Sequence, residues 1–224
     1  MTRGIFIAGN ESTLIKAVEA EAEKRIEQFA SAVISNRISD VLKTSESDNE
    51  NEKRISLEWN PSSPISARTL VLAAENRLEH IDDAILVCSP PLIRSTPSGL
   101  PLPVIEMMIN DHVKGWFFLV KELTAVFKAR GRGTLALVYP DFNTASGKDE
   151  AAEILGSSAL ASFRALTQGL LSSAHNDTYF TAGFSTTDAG NESAFAAYIF
   201  KNIDELNKKS NGKLFKYGKF NFFK

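Results

Sequence analysis

The chain has 224 residues, of which 43% are hydrophobic and 23% are charged, and its formal net charge is -2. This balance provides no overall field that would attract the protein to nucleic acid or to an anionic membrane. A single cysteine, Cys88, excludes an internal disulfide, and no Cys/His spacing offers the ligands of a zinc site. We therefore expect one domain over residues 1–224, with no metal and with no nucleic-acid or membrane partner.

The cellular compartment is predicted from the same features. The apolar run near the N-terminus is too short for a signal peptide, and no segment approaches the ~20 apolar residues of a membrane span. Together with the single cysteine, this favours a cytoplasmic protein.

Short apolar runs alternate with segments of helical spacing along the chain. The fourth and fifth runs, 84–88 and 134–139, are continuously apolar, which is typical of strands buried on both faces of a parallel sheet. The pattern predicts a three-layer α/β/α fold of the Rossmann type: a doubly wound, mostly parallel seven-stranded sheet with helices on both faces. The predicted strands are 4–8, 31–35, 55–59, 84–88, 134–139, 178–182 and 213–217.

The segments between these runs predict the helices. In the first of them, apolar residues recur on one stripe from Leu14 to Phe29, with Glu and Lys on the opposite side. Gly131 and Gly133 are expected to end the longest helix ahead of the fifth strand. The predicted helices are 12–29, 65–78, 103–129, 149–173 and 192–208.

Two segments are predicted as loops. The polar stretch 43–54 has no apolar anchor, and we assign it no function. The proline-rich stretch 89–103 directly follows the fourth strand. Long loops at the carboxyl ends of parallel strands are where such folds bind ligands, so we expect the site at this edge of the sheet.

Four stretches carry a resemblance to a known family. AGNESTLI, NPSSPISA, DHVKGWF and GSSALASFRALTQGLL, in this order, resemble motifs of the short-chain dehydrogenase/reductase family, and the similarity spans nearly the whole chain. In that family a TGxxxGxG turn binds the pyrophosphate of a dinucleotide at a helix N-terminus. Here Gly9 keeps the first glycine position, whereas Thr13 and Ile15 replace the other two, which implies a weakened phosphate cradle.

The motifs that contact the adenosine half of the cofactor in this family are better preserved in the sequence. VISNR presents Arg37 where the family often has an arginine near the ribose, and NPSSPISA resembles the adenine motif DVTxxxSV, with Asn60 in place of the aspartate. The resemblance therefore implies weak binding of NAD or NADP at most. The implied cofactor-binding residues are Gly9, Ser12, Thr13, Arg37 and Asn60.

The catalytic side departs from the family. DHVKGWF resembles VNVKGxF, with His112 where the catalytic asparagine would stand, and LVYPDF supplies Tyr139 and Pro140 in place of a serine pair. In the YxxxK motif, Gly156 replaces the tyrosine acid and Leu160 replaces the lysine. Neither residue can donate a proton or lower the pKa of a phenol, so the resemblance implies that the hydride-transfer chemistry lacks its proton donor.

Three functional hypotheses remain. The first is a pseudoenzyme without catalytic residues that binds a small ligand or a partner protein in the old cleft. The second is an active NAD(P)-dependent oxidoreductase in which Tyr139 is the acid and His112 or Lys114 supplies the activating cation. The third is an interaction module that uses the aromatic, lysine-rich tail, in which case deletion after Gly212 would break assembly.

The tail and one helix suggest self-association. The tail from residue 208 combines six lysines with aromatic residues. This composition fits a subunit interface better than a surface that binds nucleic acid. The small-residue face of the helix from Ala159 to Leu171, with Phe163, resembles the helix that pairs between subunits in this family. We therefore expect a homodimer or a homotetramer.

Overall fold

The structure is a computed structural model that describes residues 3–25, 28–34, 53–141 and 152–218. The strands in these ranges are β1 (Ile5–Asn10), β2 (Phe29–Ile34), β3 (Arg54–Ser56), β4 (Asp83–Val87), β5 (Arg94–Ser95), β6 (Thr134–Pro140), β7 (Ala152–Glu153), β8 (Phe180–Thr186) and β9 (Leu214–Tyr217). Seven of them form one sheet in the order β3-β2-β1-β4-β6-β8-β9, with every neighbouring pair parallel. The strands β5 and β7 form a separate antiparallel pair.

Helices cover both faces of the seven-stranded sheet. The α-helices in the same ranges are α1 (Thr13–Arg25), α2 (Pro64–Leu78), α3 (Leu102–Ile109), α4 (Gly115–Arg130), α5 (Leu155–Ser173) and α6 (Glu192–Asp204). A π-helical turn, Asn110–Lys114, joins α3 to α4. The apolar side chains of α1 and α6 pack on one face of the sheet, and those of α2, α4 and α5 pack on the other. The predicted Rossmann-type three-layer fold is confirmed.

The strand order places a crevice at the middle of the sheet. From β1 the chain moves outward to β2 and β3, and then returns to lay β4 along the other side of β1. Every residue of β4 and β6 is buried, as their continuous apolar runs predict. In open α/β sheets, ligands bind outside the carboxyl ends of the strands where the order reverses. Here that position lies above β1 and β4.

Two of the predicted helices extend too far. The helix α1 ends at Arg25, and Phe29, which continues the helical stripe by spacing, instead begins β2 and is fully buried there. The helix α5 begins at Leu155 and not near residue 149. Glu153 precedes it, pairs with Arg94 across β5 and β7, and accepts hydrogen bonds from the first turn of the helix.

The C-terminal elements are also shifted. The helix α6 ends at Asp204, ahead of the predicted residue 208, and β8 extends to Thr186, beyond the predicted 182. The extension of β8 arises because residues 183–186 pair in register with residues 137–140 of β6. Their local sequence, GFST, contains a glycine and two hydroxyl residues and therefore has a weak strand signal.

The surfaces that suggested subunit contacts are partly used within the chain. Ala159 and Phe163 of α5 are buried in the chain's own core, so these two side chains are used within the chain. Phe215 of β9 stacks on Phe184 of β8 at 5.2 Å. Deletion after Gly212 would therefore remove a strand of the sheet. The aromatic residues beyond β9 lie outside the described residues.

The end of α2 carries unusual backbone geometry. Glu79 has a φ of 62° and a ψ of -35°, and it is the one non-glycine residue with positive φ in the described ranges. We predict that Glu79→Gly raises the free energy of unfolding by about 1 kcal/mol, because glycine adopts positive φ without a steric penalty. Urea denaturation measures the change.

A matched substitution provides the control for this prediction. Gly131, which ends α4 as predicted, has a φ of 70°, and no heavy atom of a neighbouring residue lies within 4 Å of the point that a Cβ would occupy there. Gly131→Ala should therefore lose stability by a similar amount for conformational reasons alone. A Glu79→Gly protein that is less stable than the original would show that the glutamate side chain stabilises this turn.

In the part of the chain that the structure describes, no helix combines the length and the apolar character needed to cross a membrane.

Candidate functional site

The first element of the candidate site is the phosphate cradle, and Gly9 does not form a turn there. Gly9 continues β1 and pairs with Val33 on one side and Val87 on the other. A Cβ at Gly9 would lie 2.6 Å from the carbonyl oxygen of Val87 and 2.7 Å from Cδ1 of Ile15. The glycine is therefore needed for close packing inside the chain. The expectation that the strand stops at Gly9 is wrong, because the ladder continues through Asn10.

The two hydroxyl residues of the cradle have partners within the protein. Oγ of Ser12 accepts a hydrogen bond from the backbone N–H of Ile15 at 3.3 Å and so caps α1. Oγ1 of Thr13 donates to the carboxylate of Glu192 at 3.3 Å. The carboxylate of Glu192 thus lies at the helix start, where a pyrophosphate would need positive potential. The described residues of this cradle do not fit a pyrophosphate well.

The remaining predicted cofactor contacts lie on the adenosine side. Asn60 is exposed after β3, and its Oδ1 accepts hydrogen bonds from the backbone N–H of Ser62 at 3.2 Å and from the hydroxyl of Ser62 at 2.7 Å. Arg37 lies outside the described residues. The structure therefore places Asn60 in an Asx turn, apart from the cradle residues at the end of β1.

A buried hydrogen-bonded group joins the ends of β1 and β4 to the π-helical turn. The backbone N–H of Ser89 can only donate, and it faces Oδ1 of Asn10 at 3.1 Å. The Nδ2 amide of Asn10 therefore donates to Nδ1 of His112 at 2.6 Å. Asn10 and His112 are both buried. This group therefore links the carboxyl ends of β1 and β4.

The same hydrogen bond determines the chemical state of His112. Since Nδ1 accepts a hydrogen bond, the neutral ring carries its proton on Nε2, and that nitrogen cannot act as a general base. Burial lowers the pKa of His112 from 6.5 to about 4. His112 is therefore uncharged near neutral pH and does not supply the cation that the alternative acid, Tyr139, would require.

Tyr139 itself lies in the core. Its ring packs edge-on against Phe163, with ring centroids 6.2 Å apart, and the guanidinium of Arg164 lies 5.6 Å from its ring centroid. Burial, reinforced by the carboxylate of Asp141, raises the pKa of Tyr139 despite the nearby Arg164. Lys114, the other predicted cation, donates to Oδ1 of Asn110 at 2.9 Å. The lowered phenol pKa that an acid catalyst needs is absent at Tyr139.

The two positions that the resemblance aligns with the family's tyrosine and lysine line the same cavity. Gly156 and Leu160 line one cavity of about 90 Å³ together with Ser89, Pro90 and Pro140. The described lining contains no phenol, imidazole, carboxylate or ammonium group. The cavity is formed where the segment after β4, the end of β6 and the start of α5 meet. This placement is consistent with the resemblance, which aligned sequence motifs from these three segments with one site.

Sequence reasoning missed Glu153. Its Oε1 accepts the backbone N–H of Gly156 at 2.7 Å, and its Oε2 accepts the backbone N–H and the hydroxyl of Ser157 at 2.7 and 2.6 Å. A Cβ on Gly156 would lie 2.6 Å from the carbonyl oxygen of Pro91 and 2.8 Å from Oε1 of Glu153. The volume that the Cβ of any larger residue at position 156 would need is therefore already occupied. An acidic residue near the start of the predicted helix 149–173 was the available signal.

The described residues at the carboxyl edge of the sheet present neither a cluster of metal ligands nor a reactive thiol. No group of three or more His, Cys, Asp or Glu residues in the described ranges is arranged to hold a metal ion. Cys88 is completely buried at the end of β4, and burial raises the pKa of its thiol. A thiol in this state is a poor nucleophile.

The all-parallel sheet with its crevice above β1 and β4 defines a Rossmann-type α/β protein. Comparison with solved structures narrows this class to the fold of the short-chain dehydrogenases/reductases. The chain superposes on ElxO bound to NADP with a TM-score of 0.72 and 14% identity, over 96% of this chain and 97% of that one. No protein-family model matches the sequence, and no curated protein is similar to it.

Two further structures support the same fold. NADH-dependent reductase A1-R′ complexed with NAD superposes with a TM-score of 0.71 and 13% identity, over 96% of this chain and 95% of that one. A short-chain dehydrogenase from Mycobacterium smegmatis does so with a TM-score of 0.70 and 10% identity, over 97% and 93%. At these identities the similarity establishes the fold, and function must be argued from the site.

Proposed function

We propose that this protein binds a small ligand or a protein partner in the crevice of a short-chain dehydrogenase/reductase fold and performs no hydride transfer of the usual kind. One observation carries the proposal. Gly156 and Leu160, at the positions of the family's tyrosine and lysine, line an apolar cavity whose described walls offer no proton donor of suitable pKa.

The dinucleotide side supports the same proposal. The carboxylate of Glu192 lies at the start of α1, and Asn10 and His112 are already paired with each other. A dinucleotide that used either of these two side chains would have to give up this buried hydrogen bond, at about 1–3 kcal/mol for each buried group left without a partner. We therefore expect NAD and NADP to bind weakly at most.

The cavity at Leu160 suits an apolar group. Its volume of about 90 Å³ corresponds to one side chain or one small ring, and Leu92 at its rim is more than half exposed. A partner that inserts an apolar side chain, or a ligand with an apolar end, would gain about 25 cal/mol for each Å² removed from water. The hydroxyl of Ser89 supplies a polar contact beside this apolar surface.

Titration with NADH and NADPH tests the proposal, using cofactor fluorescence and the melting temperature of the protein. A ligand that binds the folded state raises the melting temperature by mass action. We expect no saturable response below millimolar cofactor and no oxidation of NADH or NADPH in the presence of a panel of ketones and aldehydes.

Saturable binding in the micromolar range, roughly -8 kcal/mol, with carbonyl-dependent oxidation would overturn the proposal. The Tyr139→Phe variant would then decide whether Tyr139 is the displaced acid. Loss of turnover in that variant, with unchanged cofactor binding, would establish the oxidoreductase alternative.

We also propose that the protein is a cytoplasmic homo-oligomer. The strand β9 is the outer strand of the described sheet, and exposed apolar side chains such as Phe117 of α4 are available for contact. Light scattering on the purified protein measures the oligomeric state, and a monomer at high micromolar concentration would contradict this proposal.

A further inference from the structure

A further cavity lies at the amino edge of the sheet, opposite the edge that carries the crevice. It has a volume of about 610 Å³ and lies where β1 and β2 begin and where α1, α2 and α6 end. We call it the amino-edge cavity. Its size falls in the range of cavities that bind small organic ligands. The charged residues of its described lining are Arg3, Arg25, Arg77, Glu79 and Asp204.

Two of the three arginines are neutralised within the chain. The guanidinium of Arg3 donates from Nε to Asp83 and from Nη1 to Asp204. The guanidinium of Arg25 donates from Nε to Glu21 at 2.7 Å and from Nη1 to Asp204 at 2.9 Å. Three carboxylates thus surround two guanidiniums. These groups therefore provide no surplus positive charge for a phosphate or another multiply charged anion.

The other two charged residues of the lining have opposite signs and are not paired. Arg77 lies in the last turn of α2, and Glu79 follows that helix. Neither side chain makes a hydrogen bond or an ion pair with any residue of the described ranges. Residues two positions apart at a helix end do not face each other, so these two do not neutralise each other. The amino-edge cavity therefore presents one free guanidinium and one free carboxylate.

The backbone at Glu79 is strained, and the segment that follows it is fixed. The φ of 62° and ψ of -35° at Glu79 lie outside the regions that a residue with a Cβ favours. Gly4 of the cavity wall donates its N–H to the carboxylate of Asp82 at 3.0 Å and accepts the N–H of Asp82 at 2.8 Å. A Cβ on Gly4 would lie 1.9 Å from the carbonyl oxygen of His80. Strained residues in such fixed surroundings cluster at binding sites, where the side chain is needed.

We infer that the amino-edge cavity binds a zwitterion of the α-amino acid type, whose carboxylate pairs with Arg77 and whose ammonium group pairs with Glu79. A planar guanidinium can donate two parallel hydrogen bonds to one carboxylate. The partly buried Leu78, which lies between the two charged residues in the sequence, offers an apolar contact to the side chain of the ligand. The inference is independent of the proposed function, because the crevice lies at the other edge of the sheet.

The test uses the protein amino acids as probes, with calorimetric titration and the melting temperature of the protein as readouts. We expect at least one amino acid to bind saturably and to raise the melting temperature. Its N-acetyl derivative lacks the ammonium group and its amide derivative lacks the carboxylate, so each should bind about tenfold more weakly. No saturable response to any amino acid at millimolar concentration would overturn the inference, as would an N-acetyl derivative that binds as tightly as its parent.

Variants at exposed positions locate the site without risk to the fold. Arg77→Gln and Glu79→Gln each remove one charge, and each should weaken binding of the amino acid about tenfold. Arg68→Gln is the matched control, because it makes the same change as Arg77→Gln at an exposed position on the same helix outside the cavity. It should leave binding unchanged. Equal weakening by Arg68→Gln and Arg77→Gln would show that the ligand binds elsewhere and would overturn the inference.

The Glu79→Gly variant separates binding from stability. Glycine should raise the free energy of unfolding, because it relieves the strain at this position. The same substitution removes the carboxylate, so the amino acid should no longer raise the melting temperature of this variant. A Glu79→Gly protein that binds the amino acid as tightly as the original protein would overturn the inference. Carbonyl-dependent oxidation of NADH, in contrast, would contradict only the proposed function.

Discussion

When the pH falls from 7 to 4, the free energy of unfolding of the His112→Gln variant is expected to decrease by about 3 kcal/mol less than that of the original protein. Burial lowers the pKa of His112 from 6.5 to about 4, so the unfolded chain binds this proton more tightly than the folded one. The stability contributed by neutral His112 is therefore fully present above pH 6.5 and is lost as the pH falls towards 4. Glutamine at this position can still accept a hydrogen bond from Asn10 and does not titrate.

Urea denaturation followed by circular dichroism over this pH range measures the effect. His175→Gln is the matched control, because it makes the same change from imidazole to amide at an exposed position. Carboxylates that titrate below pH 5 contribute equally to all three proteins. Identical pH dependence in His112→Gln and the original protein would show that the buried Asn10–His112 pair does not restrain the protonation of the imidazole.

Restoration of the family's catalytic pair by Gly156→Tyr with Leu160→Lys is expected to yield an unstable protein without reductase activity. A Cβ on Gly156 already lies within 2.8 Å of Pro91 and Glu153 atoms, and one of these is a backbone oxygen. Overpacking of this kind costs about 1–3 kcal/mol, and a lysine in place of the partly buried Leu160 adds to the loss because it removes an apolar contact. Denaturation and an NADPH oxidation assay with a ketone measure the two effects.

The helix α5 itself contains the control. Gly169, on the exposed side of the same helix, has open space around a Cβ position, so Gly169→Ala should raise stability by about 0.5–1 kcal/mol. Gly156→Ala should instead lower it. A Gly156→Ala protein as stable as Gly169→Ala would mean that the site has room for a side chain, and carbonyl reduction by the double variant would show that only two residues separate this protein from an oxidoreductase.

The variants at positions 156 and 160 distinguish two explanations: the site lacks only the catalytic side chains, or it also lacks the space to accommodate them. The resemblance aligns Gly156 and Leu160 with the family's tyrosine and lysine, and the carbonyl oxygen of Pro91 and the carboxylate of Glu153 occupy the volume beside Gly156. The cradle shows the same pattern, since Ile15 packs against Gly9 and Thr13 donates to Glu192. Residues on both sides of the crevice therefore make contacts within the chain.

The sequence alone determined the class of fold. Continuous apolar runs predicted β4 and β6, and helical spacing predicted α2 within one residue. The single helix predicted over 103–129 is α3, the π-helical turn and α4 in the structure, and Gly131 marked the end of α4. These features are local, because side-chain periodicity and backbone preference act over a few neighbouring residues. The residue types at positions 156 and 160, a glycine and a leucine, by themselves exclude a phenol and an ammonium group there.

Only the tertiary structure decided what occupies the crevice. The hydrogen bond from Asn10 to His112 joins residues 102 positions apart, and that from Thr13 to Glu192 joins residues 179 positions apart. The burial of Tyr139 and the neutral state of His112 also depend on neighbours from distant elements. No local pattern encodes such pairs, because they depend on how strands and helices pack and on the direction in which each side chain points. The sequence therefore determined the framework and the residue types at positions 156 and 160, and the packing of distant elements determined the contacts that surround them.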